Sequence, residues 1–157
     1  MDAQREYAST SHSGDDVLEY AQKFLSSPGQ HDGLFWESAP GQPHSPIRPL
    51  VARARTEGYP TPTHKGEHTP YHGYFYRVLT RQGEQAPGGT YDYVAHGHMI
   101  GRFALVAFPP KYGDSGVMTF IVSQDGGVYQ RNLGPNTVAI ARNVTSLDPE
   151  RGWTKVP

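Results

Sequence analysis

The sequence contains no cysteine, which excludes a disulfide framework, a thiol nucleophile and any zinc or iron–sulfur centre built on thiolates. That absence fits cytoplasm and periplasm alike. No apolar run reaches the roughly 18 residues that a membrane-spanning helix needs. The opening Met1-Asp2-Ala3-Gln4-Arg5-Glu6 is neither the basic nor the apolar part of a signal peptide. No membrane insertion by this chain is expected. An excess of one charge is also missing: 14 Lys and Arg stand against 15 Asp and Glu, for a net charge of −1. With the basic residues scattered, the chain shows no electrostatic footprint for nucleic acid. Leu, Ile, Val and Phe supply only 29 of the 157 residues, few enough to raise disorder, but ten Tyr and the near-zero net charge argue for a folded, aromatic-rich core.

Glycine and proline are abundant, at 18 and 14 residues. About a fifth of the chain is thus turn-forming, which excludes a coiled coil or a simple helical bundle. The length fits one domain over residues 1–157. Within it, residues 1–70 read as a helical and loop-rich part, and residues 71–157 as an antiparallel sheet with a closing helix. Residues 2–9 have helical composition. Val17, Tyr20, Ala21 and Phe24 recur at helical spacing, Asp16 and Glu19 stand as in a capping box, and Ser27-Pro28-Gly29 would stop that helix. Ile47, Leu50, Val51 and Ala54 form a further short helical face, ended by Gly58. The stretch 29–46 reads as an ordered loop pinned by Leu34-Phe35-Trp36, and 61–70 as a surface loop.

After Tyr71 the texture becomes β-branched and aromatic, and strands are expected over 72–80, 90–96, 102–108, 117–123 and 128–133. Residues 103–108 are apolar on both parities, which places that strand centrally. Asp125-Gly126 marks a hairpin between the last two strands. Asn136 would cap a helix carrying Val138, Ile140, Ala141 and Val144, with Asp148-Pro149 at its end. Helices, then strands, then a helix is the α+β pattern, with a sheet of about five short strands.

Several strings carry a resemblance: His31-Asp32-Gly33-Leu34-Phe35-Trp36, Tyr71-His72-Gly73-Tyr74-Phe75-Tyr76-Arg77-Val78-Leu79 and Gly116-Val117-Met118-Thr119-Phe120-Ile121-Val122. With Ala3-Gln4-Arg5-Glu6-Tyr7 and the stretch 124–134, they run co-linearly from about residue 3 to 153. The chain resembles the bacterial domain-of-unknown-function 2950 family of exported envelope proteins. The resemblance implies a periplasmic or exported parent, of which this sequence is a trimmed or processed form. It implies no catalytic residues. The order of elements is also similar to small pseudopilin-like domains, where a long N-terminal helix packs on an antiparallel sheet. On that analogy the helix at residues 2–7 would continue upstream.

The histidines form the first candidate site. His64, His68 and His72 recur every four residues and His96 and His98 flank Gly97; such imidazoles, if brought together, hold zinc or copper. Gly66 and Pro70 break the helical register and no HExxH pattern is present, so exposed loop histidines are the plainer reading. The rings of Trp36, Tyr74, Tyr76, Tyr91 and Tyr93 form the second, a stacking surface for a sugar or peptide, with packing on the sheet faces as the plainer reading. Gly113-Asp114-Ser115-Gly116 is similar to the nucleophile loop of chymotrypsin-like proteases, but its composition is that of a turn. Asp15, Asp16, Glu19 and Glu37 offer carboxylates without any sign of a desolvated acid. No phosphate loop or other cofactor fingerprint is present, and no cofactor is expected.

The expected function is a non-catalytic structural or interaction module of the envelope. Its partner would be an envelope protein or a glycan, and the isolated chain a monomer or weak homo-oligomer. The alternatives are an envelope-polymer hydrolase using His72, His96, Asp92 or Asp114, or a sugar- or peptide-binding domain built on the aromatic-rich sheet.

Overall fold

The computed structural model describes residues 1–61, 70–149 and 152–157. In chain order the elements are α1 (Asp2–Tyr7), α2 (Arg48–Thr56), β1 (Phe75–Leu79), β2 (Arg81–Gln82), β3 (Tyr91–Asp92), β4 (Val94–Ala95), β5 (His98–Met99), β6 (Ala104–Phe108), β7 (Met118–Ser123), β8 (Val128–Asn132), α3 (Thr137–Arg142) and β9 (Thr154–Lys155). The fold is α+β. Its main sheet has five antiparallel strands in the order β1-β6-β7-β8-β9, and β2-β3 and β4-β5 form two small ribbons.

The apolar run 103–108 is central as its composition demands: β6 lies between β1 and β7, with Ala104, Val106, Ala107 and Phe108 all buried. The β7–β8 hairpin closes at Gly126, whose φ of 83° is the left-handed conformation that glycine adopts freely. Residues 90–96 do not join this sheet. Tyr93 turns inward to 1% exposure and donates its hydroxyl to Gln82, while the Asp92 carboxylate accepts from the Val94 amide and interrupts the ladder. The fifth strand is β9 instead, paired to Tyr129 and Gln130.

The helix expected over 17–25 does not form. Its apolar spacing suits a helix, but its backbone groups are taken by partners elsewhere in the chain. The Tyr20 amide donates to the Met99 carbonyl at 2.8 Å, and the Leu34 and Phe35 amides donate to the carbonyls of Lys23 and Phe24. Ala21 is held by a side chain: the Gln4 amide donates to its carbonyl and accepts from its N–H, both at 2.8 Å. Tertiary context has overridden local propensity. The same apolar residues are used otherwise, Tyr20 against Phe103, Phe24 against Tyr76 and Leu25 bridged to Phe35.

The closing helix is shorter than its apolar pattern. Arg77, on β1, donates to the carbonyls of Ala141, Arg142 and Val144, satisfying the end of α3 and placing a cation at its negative pole. Asn136 stands at the cap position without a side-chain cap bond; the Thr137 hydroxyl bonds the Gly134 carbonyl there.

Two apolar clusters result. One, including Leu79, Phe103, Val106, Ile121 and Ala141, lies between the sheet and α3; the other gathers Tyr7, Ala21, Leu34, Phe35, Trp36, Ile47 and Val51 from the N-terminal part.

Candidate functional site

The second cluster carries the surface of interest. Residues 32–36 run against residues 23–27, held by the Ser26 amide on the Phe35 carbonyl and by Asp32, whose carboxylate accepts from the Ser27 amide, the Ser27 hydroxyl and the Lys23 ammonium. Burial alone would raise the Asp32 pKa. The Lys23 and Ser27 donors outweigh it, and the carboxyl stays below its ordinary value. Gly33 makes the close approach possible, because a Cβ there would lie 2.7 Å from the Ser26 nitrogen and 2.8 Å from the Leu25 carbonyl carbon.

This strand presents Trp36 in a fixed pose. Its indole N–H donates to the Pro43 carbonyl at 3.0 Å. The His31 ring stacks on it at a centroid distance of 4.3 Å, and the His12 ring meets it edge-on at 5.9 Å while itself stacking on Tyr7 at 3.9 Å. The Tyr7 hydroxyl donates to the His31 carbonyl, and burial, with the nearby charges of Glu19 and Asp32, raises its pKa.

Beside Trp36, against α2, lies a groove of about 320 Å³. Phe35, Trp36, Glu37 and Ser38 form one wall, and Arg48, Val51, Ala52 and Arg55 of α2 form the other, with Thr61 at the end. Phe35, Trp36 and Val51 are buried behind the groove, whereas both arginines and Glu37 are exposed along it. Neither Arg48 nor Arg55 is paired with another group among the described residues.

Of the aromatic residues singled out in the sequence, Trp36 lines this groove and the other four do not join it. Tyr76 stacks on Phe24 at 5.7 Å, Tyr74 tilts against Phe120, Tyr93 is in the core with its pKa pushed up to about 12 by burial, and Tyr91 is 48% exposed on β3. The five rings share no single surface.

The described members of the histidine set, His72, His96 and His98, are not gathered into one site either. His64 and His68 lie outside the described residues. His72, in the left-handed region at φ 47°, sits between Tyr59 and Tyr71 with its Nδ1 3.4 Å from a Glu57 oxygen. His96 and Gly97, both at positive φ, form the two-residue turn between β4 and β5, so His96 and His98 are not alternate residues of one strand. His98 lies between two carboxylates, its Nε2 3.1 Å from Asp15 and its Nδ1 3.1 Å from Glu19. Among the described residues, no group of three or more His, Asp or Glu stands where it could hold a metal ion. Asp114 pairs with Lys111, and the Ser115 hydroxyl bonds the Lys111 carbonyl, as in a turn.

A family model described as Protein of unknown function (DUF2950) matches residues 1–156. The chain belongs to that family. No curated protein and no solved structure matches this DUF2950 chain. The residues that sequence reading missed are Arg48 and Arg55. Their seven-residue spacing with Val51 and Ala52 between them was a readable signal, since positions i and i+7 share a helix face.

The imidazole beside Trp36 gives the site a pH response. Burial lowers the His12 pKa from its ordinary 6.5; the His31 charge adds to this, while the Tyr7 carbonyl and Glu19 oppose it. The unfolded chain therefore takes up a proton that the folded chain refuses. Stability is expected to fall as pH drops below about 6.5, and to level off below the folded-state value. Urea midpoints measured across this range check it: His12→Phe, which keeps a stacking ring without the proton site, should reduce the slope. An unchanged slope would contradict the assignment.

Proposed function

We propose that the chain is a non-catalytic interaction module of the bacterial envelope that seats a short extended peptide segment of a partner in the groove beside α2. The observation that carries this reading is the groove itself: a cleft between residues 35–38 and α2, held in shape by the Trp36 bond and stack, whose exposed edges carry Arg48, Arg55 and Glu37. Its volume is at the small end for ligand sites and fits a short stretch of chain. The engagement of His98, Asp114 and Ser115 in structural bonds supports a binding role over hydrolysis. The envelope location rests on the resemblance to exported proteins.

The test is a titration of the chain with pools of nine-residue peptides, followed by amide chemical shifts. Shifts are expected at residues 35–38 and 48–55. Ala52→Trp, which fills the groove from an exposed position of α2, should weaken binding at least tenfold with the fold intact. Peptide pools that leave these amides unmoved would remove the reading.

A further inference from the structure

Within that reading, we infer that the groove selects an acidic segment, one with two carboxylates about three residues apart on a polyproline-type backbone. Helix α2 carries three arginines and no acid between Arg48 and Thr56. They are not used alike. Arg53 is satisfied within the protein, its Nε 3.0 Å from a Glu57 oxygen. Arg48 and Arg55, the two that line the groove, have no partner among the described residues. Among the described residues Glu37 is the one acid in the groove lining and makes no ion pair with either, so the described lining keeps a net positive charge.

The spacing of the two guanidinium-bearing positions narrows the ligand. Seven residues of helix rise about 10.5 Å and return to within about 20° of the same direction. Arg48 and Arg55 therefore stand on one face, with Val51 and Ala52 between them. A polyproline-type chain repeats every three residues and rises about 9 Å over them, so side chains at i and i+3 project from one edge. A regular β-strand puts i and i+3 on opposite faces. Guanidinium groups pair with carboxylates in bidentate fashion, which adds direction to the attraction.

The experiment uses three nine-residue proline-rich peptides, with two Glu three residues apart, with two adjacent Glu, and with Gln at both positions of the first. Binding to the whole chain is measured by calorimetry at low and high salt. The first peptide is expected to bind at least tenfold more tightly than the other two and to weaken with salt. Arg48→Gln with Arg55→Gln should abolish that preference, while circular dichroism and the urea midpoint stay unchanged because both side chains are exposed. Equal binding of the first peptide and its Gln counterpart, with both lost on Ala52→Trp, would overturn the acidic inference and leave the module standing. Failure of all three peptides and of the neutral and basic pools would overturn both.

Discussion

Replacing Gly33 with alanine is expected to lower stability by about 3 kcal/mol, or roughly 6–12 °C in Tm for a chain of this size, and to loosen the groove with it. The reason is space alone, since the φ of Gly33 is not in the left-handed region. A methyl group there would press on the backbone of Leu25 and Ser26, which is not a side chain that can swing aside. To relieve the contact, residues 23–27 and 32–36 must separate. That breaks the Leu34, Phe35 and Ser26 amide bonds and the Ser26 hydroxyl bond to the Gly33 amide. Gly29→Ala is the control, because nothing lies within 4 Å of its Cβ position and only its φ of 73° is strained. It should lose about 1–2 kcal/mol. Thermal unfolding of the two variants checks this, and equal losses would argue against the close approach.

Gln4→Met should lose about 3–4 kcal/mol in a urea titration although the side chain keeps its length. Gln4 is 1% exposed, and among the described residues its amide alone satisfies both the N–H and the C=O of Ala21. Methionine would leave both unsatisfied, at about 1–3 kcal/mol each. Gln4→Glu sharpens the test. An ionised carboxylate can accept from the Ala21 N–H but faces its carbonyl without a proton to give, so folding disfavours the charged form and raises the folded pKa of the new acid. Its stability relative to the parent chain should therefore be greatest below about pH 4.3 and decline as pH rises through the raised value. A loss independent of pH would show that the amide is not used as a two-sided clamp.

The contrast between residues 103–108 and residues 17–25 shows what could be read from the sequence. The β6 strand follows from its composition, because a run that is apolar on both parities has to be covered on both faces. The 17–25 segment has an equally clear helical period. What defeats it is a glutamine side chain seventeen positions upstream of Ala21 and the 33–35 backbone downstream, neither of which leaves a local mark. The α+β class, the Asp125-Gly126 hairpin and α2 were legible for the same reason as β6: each rests on short-range patterning. In the site, Trp36 was visible as an aromatic residue in a loop. The spacing of Arg48 and Arg55 puts them on one helix face, but that Arg53 is the one already paired is visible only in the structure. Likewise His98 reads as one of a histidine pair until the chain brings Asp15 and Glu19 to its two nitrogens.

The guanidinium that closes α3 also answers a question of alignment. The β1 strand reads Phe75-Tyr76-Arg77-Val78-Leu79, apolar on both parities, so burial by itself does not say which side belongs beneath the helix. Sliding β1 by one position along β6 would exchange Phe75 and Leu79 for Tyr76 and Val78, a change a greasy sheet face tolerates. It would also carry Arg77 to the opposite side, away from the carbonyls of Ala141, Arg142 and Val144. One cation would then be stranded and one helix end left open, which makes the slipped pairing costly where the hydrophobic pattern is indifferent. Arg77 thus sets the registration of an otherwise ambiguous strand.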